Sequence, residues 1–158
     1  MGRRIDFYDD PGAPAATSLV PGANVVVVNE DGEILLIRRS DNDLWALPGG
    51  AMDIGESLPG TAVRETFEET GIDVEITGLV GIFTDPRHVI LYTSDGEVRQ
   101  EFSVVFAARP VAGTPTPSAE STEVRWVPVA EIETLEMDHS TRLRLDHFLT
   151  TPRELHLG

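Results

Sequence analysis

Between Gly49 and Ile72 the chain reads GGAMDIGESLPGTAVRETFEETGI: a glycine break, a loop, then a stretch with helix signals at both ends. Ser57 stands as N-cap, Pro59 in the first turn and Gly71 as C-cap; Gly60 weakens that turn and allows a later start. At about 100° per residue, Arg64, Glu65, Glu68 and Glu69 fall within one arc of roughly 140°. Ala62, Val63, Thr66, Phe67 and Thr70 lie behind it. The expectation is a helix whose apolar arc packs on a sheet while its carboxylates face outward together. An i,i+4 pair such as Arg64–Glu68 is worth only about 0.2–0.5 kcal/mol, so it does not offset Glu65 against Glu69, also at i,i+4. A solvated charged face is the usual outcome of a charge run.

The flanking sequence supplies the sheet. ANVVVVNEDGEILLIRR reads as a hairpin around Asp31-Gly32, and LWALPGG as a short strand ending in a break. DVEITGLVGIFTD reads as strand, and HVILYTSDGEVRQEFSVVFAARPV as a second hairpin turning at Asp95-Gly96. A Pro/Ser/Thr loop, the strand TEVRWVP, a short helical piece and a closing helix over residues 138–150 complete the order. Residues 1–22, with Pro11, Gly12, Pro14, Pro21 and Gly22, read as an irregular N-terminal arm, and residues 23–158 as the domain. Hairpin-linked strands with two separated helices imply an α/β fold, a mixed sheet between helices.

Composition excludes several chemistries. There is no cysteine, hence no disulfide, thiolate metal site or cysteine nucleophile, and all 12 basic residues are arginine. Without lysine, P-loop and Schiff-base chemistry are out. A net charge of −15 disfavours long nucleic acid as a partner, while a small polyanion remains compatible if metal ions bridge it to carboxylates. No apolar run long enough to cross a membrane and no leader pattern is seen, which leads us to expect a cytoplasmic protein.

The spacing decides the meaning of the acidic arc. Gly50, five residues, Glu56, seven residues, Arg64-Glu65, two residues, Glu68-Glu69, one residue and Gly71 form a pattern with chance odds of about 10⁻⁸ per start. It resembles the Nudix box, and Thr66 in place of a bulky aliphatic is a mild departure. LLIRR, LWALPGG and EVRWVPVAEI also look like what surrounds the box in that family. The resemblance, which runs in outline from Asn24 to Leu149, implies an α/β/α sandwich around a mixed sheet. It also implies hydrolysis of the diphosphate linkage in small nucleoside diphosphate derivatives with Mg²⁺ or Mn²⁺. Hard divalent cations take oxygen ligands and share them between carboxylates and phosphates, so crowded glutamates become favourable around them.

By match to that family, Glu65 and Glu69 are primary metal ligands, Glu68 joins them, and Gly49 offers its carbonyl. Glu120, six residues before Trp126, is a further candidate ligand, with plain loop surface the alternative for it and for Glu123. Glu65 and Glu68 are candidates to accept the attacking water's proton. Arg64 is expected to hold Glu65, and Glu56 either contacts the site or ties the loop. Arg38 and Arg39 are candidate phosphate clamps or a sheet-edge pair. Asp138 and His139 stand where some relatives read the base, with helix capping the alternative for Asp138. Glu97 and Glu101 are expected to be exposed, and Trp45 to be core.

Two substrate classes compete: ADP-ribose or nucleotide sugars, for which Pro86 is a weak pointer, against nucleoside triphosphates of the MutT-like type. A non-catalytic nucleotide sensor and an RNA 5′-end pyrophosphohydrolase are the alternatives. A homodimer is left open, with the arm packing across a second subunit or over the nucleotide pocket.

Overall fold

The computed structural model describes residues 2–158. At its centre is a five-stranded mixed sheet in the order β12-β7-β10-β3-β6. The strands are β3 (Gly22–Val27), β6 (Gly49–Ala51), β7 (Ile72–Phe83), β10 (Ser103–Gly113) and β12 (His156–Leu157). β3 and β10 run parallel, with Gly22 opposite Ser103, while β7 and β6 pair antiparallel with them.

Alternation along β3 explains its valine run. Ala23, Val25 and Val27 point to one face and pack with Ala62 of α1 (Leu58–Thr70). Val26 points to the other, among Leu145 of α3 (His139–Thr150), Ile132 of α2 (Val129–Ile132) and Phe83. A strand covered on both faces reads as an unbroken apolar run. The layers are therefore helix, sheet, helix, as expected.

A three-stranded sheet, β11-β4-β5, continues the core through β4 (Ile34–Arg39), β5 (Trp45–Ala46) and β11 (Ser121–Val127). The first expected hairpin turns at Gly32, whose φ of 76° suits glycine, but it is bridged only at Val28–Ile34. Beyond that bridge its two strands part into different sheets, because each has apolar residues to bury on both faces. The second hairpin forms with Leu91 opposite Val98, joining β8 (His88–Tyr92) and β9 (Val98–Gln100).

The N-terminal segment corrects the reading of an irregular arm. Arg4–Tyr8 is a strand, β1, paired antiparallel with β8, and Ser18–Leu19 is β2, paired with β9. Together they make a four-stranded sheet, β1-β8-β9-β2. Ile5 and Phe7 alternate with Arg4 and Asp6 as a strand requires, but five residues beside a Pro/Gly-rich stretch are a short signal; the charged residues are satisfied inside the sheet. Asp6 takes both Arg4 Nε (2.7 Å) and His88 Nε2 (2.8 Å).

Candidate functional site

α1 is set by its caps. Ser57 Oγ accepts from Gly60 N at 3.1 Å, and Gly71 closes the helix at φ 73° with its N–H donating to the Phe67 carbonyl. Thr61, Ala62, Thr66 and Thr70 are fully buried against the sheet, whereas Phe67 is exposed. The carboxylates are not all outward. Glu69 is 4% exposed, Glu65 is partly buried, and Glu68 projects to solvent.

These three glutamates line one wall of a cavity of about 560 Å³, together with Gly49, Gly50 and Glu120. Two glycines make the close approach feasible. A Cβ on Gly49 would lie 2.2 Å from the Ala23 carbonyl oxygen, and one on Gly50 would lie 2.5 Å from the Glu65 carboxyl carbon. Gly49 also adopts φ 156°, and its N–H donates to Glu69 Oε2 at 3.4 Å.

Arg64 organises the rest of the arc. Its Nη1 donates to Glu65 Oε1 at 2.9 Å and Glu68 Oε2 at 3.2 Å, its Nη2 to the Ala51 carbonyl at 3.2 Å. Glu56 grips the same guanidinium through Nε and Nη2 and takes the Thr61 hydroxyl at 2.6 Å. Those bonds hold the Glu56 carboxyl down to about 2. It ties the 52–57 loop to the helix and does not line the cavity.

Burial pushes Glu69 up to about 8, and the nearby Arg39 charge only partly offsets it. Burial also raises Glu65, against the pull of Arg64. Among the described residues no three carboxylate or imidazole groups already converge at metal distance. Glu65 and Glu68 are instead turned to Arg64. The donor set nevertheless fits a hard divalent cation: oxygen ligands only, one of them ionised at a cost that a cation would relieve.

The remaining candidates divide. Arg39 lines the cavity and is forked onto Asp41 at 2.8 and 2.6 Å. Arg38 does not; it is held outside by Asp43 and Glu123. Asp138 caps α3, accepting from Thr141 N at 2.8 Å. His139 is exposed, packing edge-on against Tyr8 at 4.2 Å, away from the cavity lining. Pro86 lies in an exposed turn before β8 and does not line the cavity. Trp45 is core.

Glu101 departs from expectation. It is 5% exposed, on the cavity wall, bonded to Arg144 Nη2 at 2.6 Å and facing His88 Nδ1 at 3.4 Å. The cavity lining also carries Arg4, Arg99, Arg144, Tyr92, Asn24 and Ser103. No spacing pattern in the sequence links these positions; only the i,i+2 pairs Arg4/Asp6 and Glu97/Arg99 hint at a shared strand face.

A mixed sheet between helices, with an acidic capped helix packed against a glycine-lined wall, defines a Nudix-type α/β protein. The family model described as NUDIX domain matches residues 18–148, and the chain belongs to that family. It is 40% identical over 107 residues to a MutT-like protein of Streptomyces ambofaciens, covering 68% of this chain and 62% of that one. It is 31% identical over 121 residues to an ADP-ribose pyrophosphatase of Methanocaldococcus jannaschii, covering 72% of this chain and 64% of the relative. The matched region thus spans less than two thirds of either relative's length. Among solved structures, a MutT protein from Methanosarcina mazei Go1 superposes with a TM-score of 0.68 at 25% identity, covering 89% of this chain and all of that one.

Proposed function

We propose that the protein is a metal-dependent pyrophosphohydrolase acting on a small nucleoside diphosphate derivative. The observation that carries this reading is Glu69: a carboxyl buried to 4% exposure, beside Glu65 and against Gly49, with no side-chain cation among the described residues bonded to it. Burying a carboxylate in that way destabilises the fold unless a ligand relieves it. Glu65, Glu68, Glu69 and the Gly49 carbonyl are the groups that would hold Mg²⁺ or Mn²⁺, with Glu120 of the same cavity lining as a further ligand. Such an ion would supply charge stabilisation to the diphosphate and acidify water.

The chain's own residues do the rest. Arg64 holds Glu65 and Glu68, and Glu56 holds Arg64, so the acidic side chains are ordered beforehand and would turn from Arg64 to reach a cation. Glu65 and Glu68 are the carboxylates that would accept the proton of an attacking water. Asn24 and Ser103, which line the same cavity, are available to hydrogen-bond the substrate. Names borne by the relatives, MutT-like protein and ADP-ribose pyrophosphatase, support both substrate classes raised by the sequence.

The test is a hydrolysis screen over nucleoside triphosphates, ADP-ribose and nucleotide sugars with Mg²⁺, Mn²⁺ or EDTA. Release of a nucleoside monophosphate from at least one of them, abolished by EDTA, is expected. No turnover by a folded protein under any of these conditions would leave nucleotide binding without hydrolysis as the function.

A further inference from the structure

Four of the 12 arginines, Arg4, Arg39, Arg99 and Arg144, line one cavity in a chain of net charge −15. Three of them, Arg4, Arg99 and Arg144, come from β1, β9 and α3, elements separate from the acidic helix. Arg4 and Arg99 belong to one face of the N-terminal sheet: β1 and β9 flank β8, with Arg4 opposite Tyr92 and Arg99 opposite Ile90. Strands two apart are about 10 Å from each other, a separation that two arginine side chains bridge easily.

Each guanidinium is held in place and keeps a donor edge unused. Asp6 takes Arg4 Nε and Nη2 at 2.7 and 2.9 Å; Glu97 takes Arg99 Nε and Nη2 at 2.6 and 2.9 Å. Among the described residues, neither Nη1 has a hydrogen-bond acceptor. Arg99 lies over the Tyr92 ring, 4.6 Å from its centroid. Deeper in the wall Arg144 is 7% exposed, and its Nε is buried without a partner. Each carboxylate takes the Nε–Nη2 edge and leaves the Nη1–Nη2 edge of a cavity-lining guanidinium available to an anion.

We infer that Arg4 and Arg99, on either side of Tyr92, form an anion subsite for a phosphate of the substrate other than those shared with the metal. An arginine fork fits phosphate bidentately, and prior pairing with Asp6 and Glu97 lowers the ordering cost of binding. Asp6 and Glu97 are positioning residues in this subsite. The inference rests on the cavity being a nucleotide site, and it assigns the N-terminal strand a part in choosing the substrate: one with a further anionic group over one ending in a neutral sugar.

Two measurements test it. Calorimetric titration of the whole protein with inorganic pyrophosphate in EDTA reports the arginine wall alone, since the acidic arc repels the anion without metal. Arg4→Lys and Arg99→Gln should each weaken binding by about tenfold or more, with Arg109→Gln as the surface control. No binding by wild type, or equal binding by all three variants, overturns the subsite. In kinetics, Arg4→Lys should raise KM for a nucleoside triphosphate by about tenfold while kcat stays within about twofold and KM for ADP-ribose is unmoved. Equal rises on both substrates overturn it too. If wild type hydrolyses nothing, the hydrolase reading falls, and the pyrophosphate titration still decides the subsite. Should Arg4→Lys fold poorly, Arg99→Gln carries both arms.

Discussion

Glu69 concentrates the tension of the site. Glu65 and Glu68 share Arg64 and stand partly in water, whereas Glu69 is buried with only a 3.4 Å backbone donor. The strain expected across the whole arc therefore falls mainly on one residue. Glu69→Gln should melt a few degrees above wild type in EDTA, gain little from added Mg²⁺, and lose about 10²–10⁴ in kcat. Melts and single-turnover assays on the two proteins check all three, and full turnover by a folded variant would remove Glu69 from the metal set. His88 gives a pH signature at the same scale. Burial opposes its charge, yet the bonds to Asp6 and Glu101 outweigh that and hold it above the ordinary 6.5. Its contribution is then complete below about 6.5 and is lost as pH rises through the higher folded value. Asp6, against its own burial, is held well below its ordinary value by His88 and Arg4, so its contribution is lost only in strong acid. The stability difference between wild type and His88→Gln should be largest between about pH 4.5 and 6.5 and shrink above neutrality, as urea melts across that range would show.

Elements differ in how plainly the sequence announces them. α1 was legible to the residue because its signals are local: Ser57 bonds Gly60 N and Gly71 takes a left-handed φ. Ser57→Ala should cost about 1 kcal/mol. Gly71→Ala should cost more than that, since the new Cβ would sit 2.9 Å from Thr116 Oγ1 at φ 73°. Denaturant melts measure both. The box residues were legible for a related reason, their spacing being imposed by one helix and one turn. β1 was overlooked although Ile5 and Phe7 alternate with Arg4 and Asp6: the signal is five residues long, and the strand that fixes it, β8, lies 80 residues away in the chain. Glu101 was misread as exposed for the same cause: its partners Arg144 and His88 come from α3 and β8. Phe67 was misplaced because threonines, not the aromatic, fill the tight contact under α1.

For the whole molecule, the small sheet supplies Arg4, Ile90, Tyr92 and Arg99 to the lining of a cavity whose glutamates come from α1. Removing residues 1–18 would strip β1 from β8 and leave His88 without its Asp6 partner. The truncated protein should lose several degrees in melting temperature and bind anions more weakly, while metal-dependent stabilisation persists because α1 and β6 are untouched. Thermal scans with and without Mg²⁺ separate these outcomes, and an unchanged melting point would mean that the strand is an ornament on a self-sufficient core.

That same pairing has a consequence in time. Tyr8 and His88 are 80 residues apart in the chain. At a synthesis rate of roughly 5–20 residues per second, β1 leaves the ribosome about 4–16 s before its partner exists. Through that interval it is a short, charged ribbon with nothing to join. Its arginine and aspartate then serve a nascent chain as well as a finished one: they keep it hydrated and unattractive to other edges until β8 arrives.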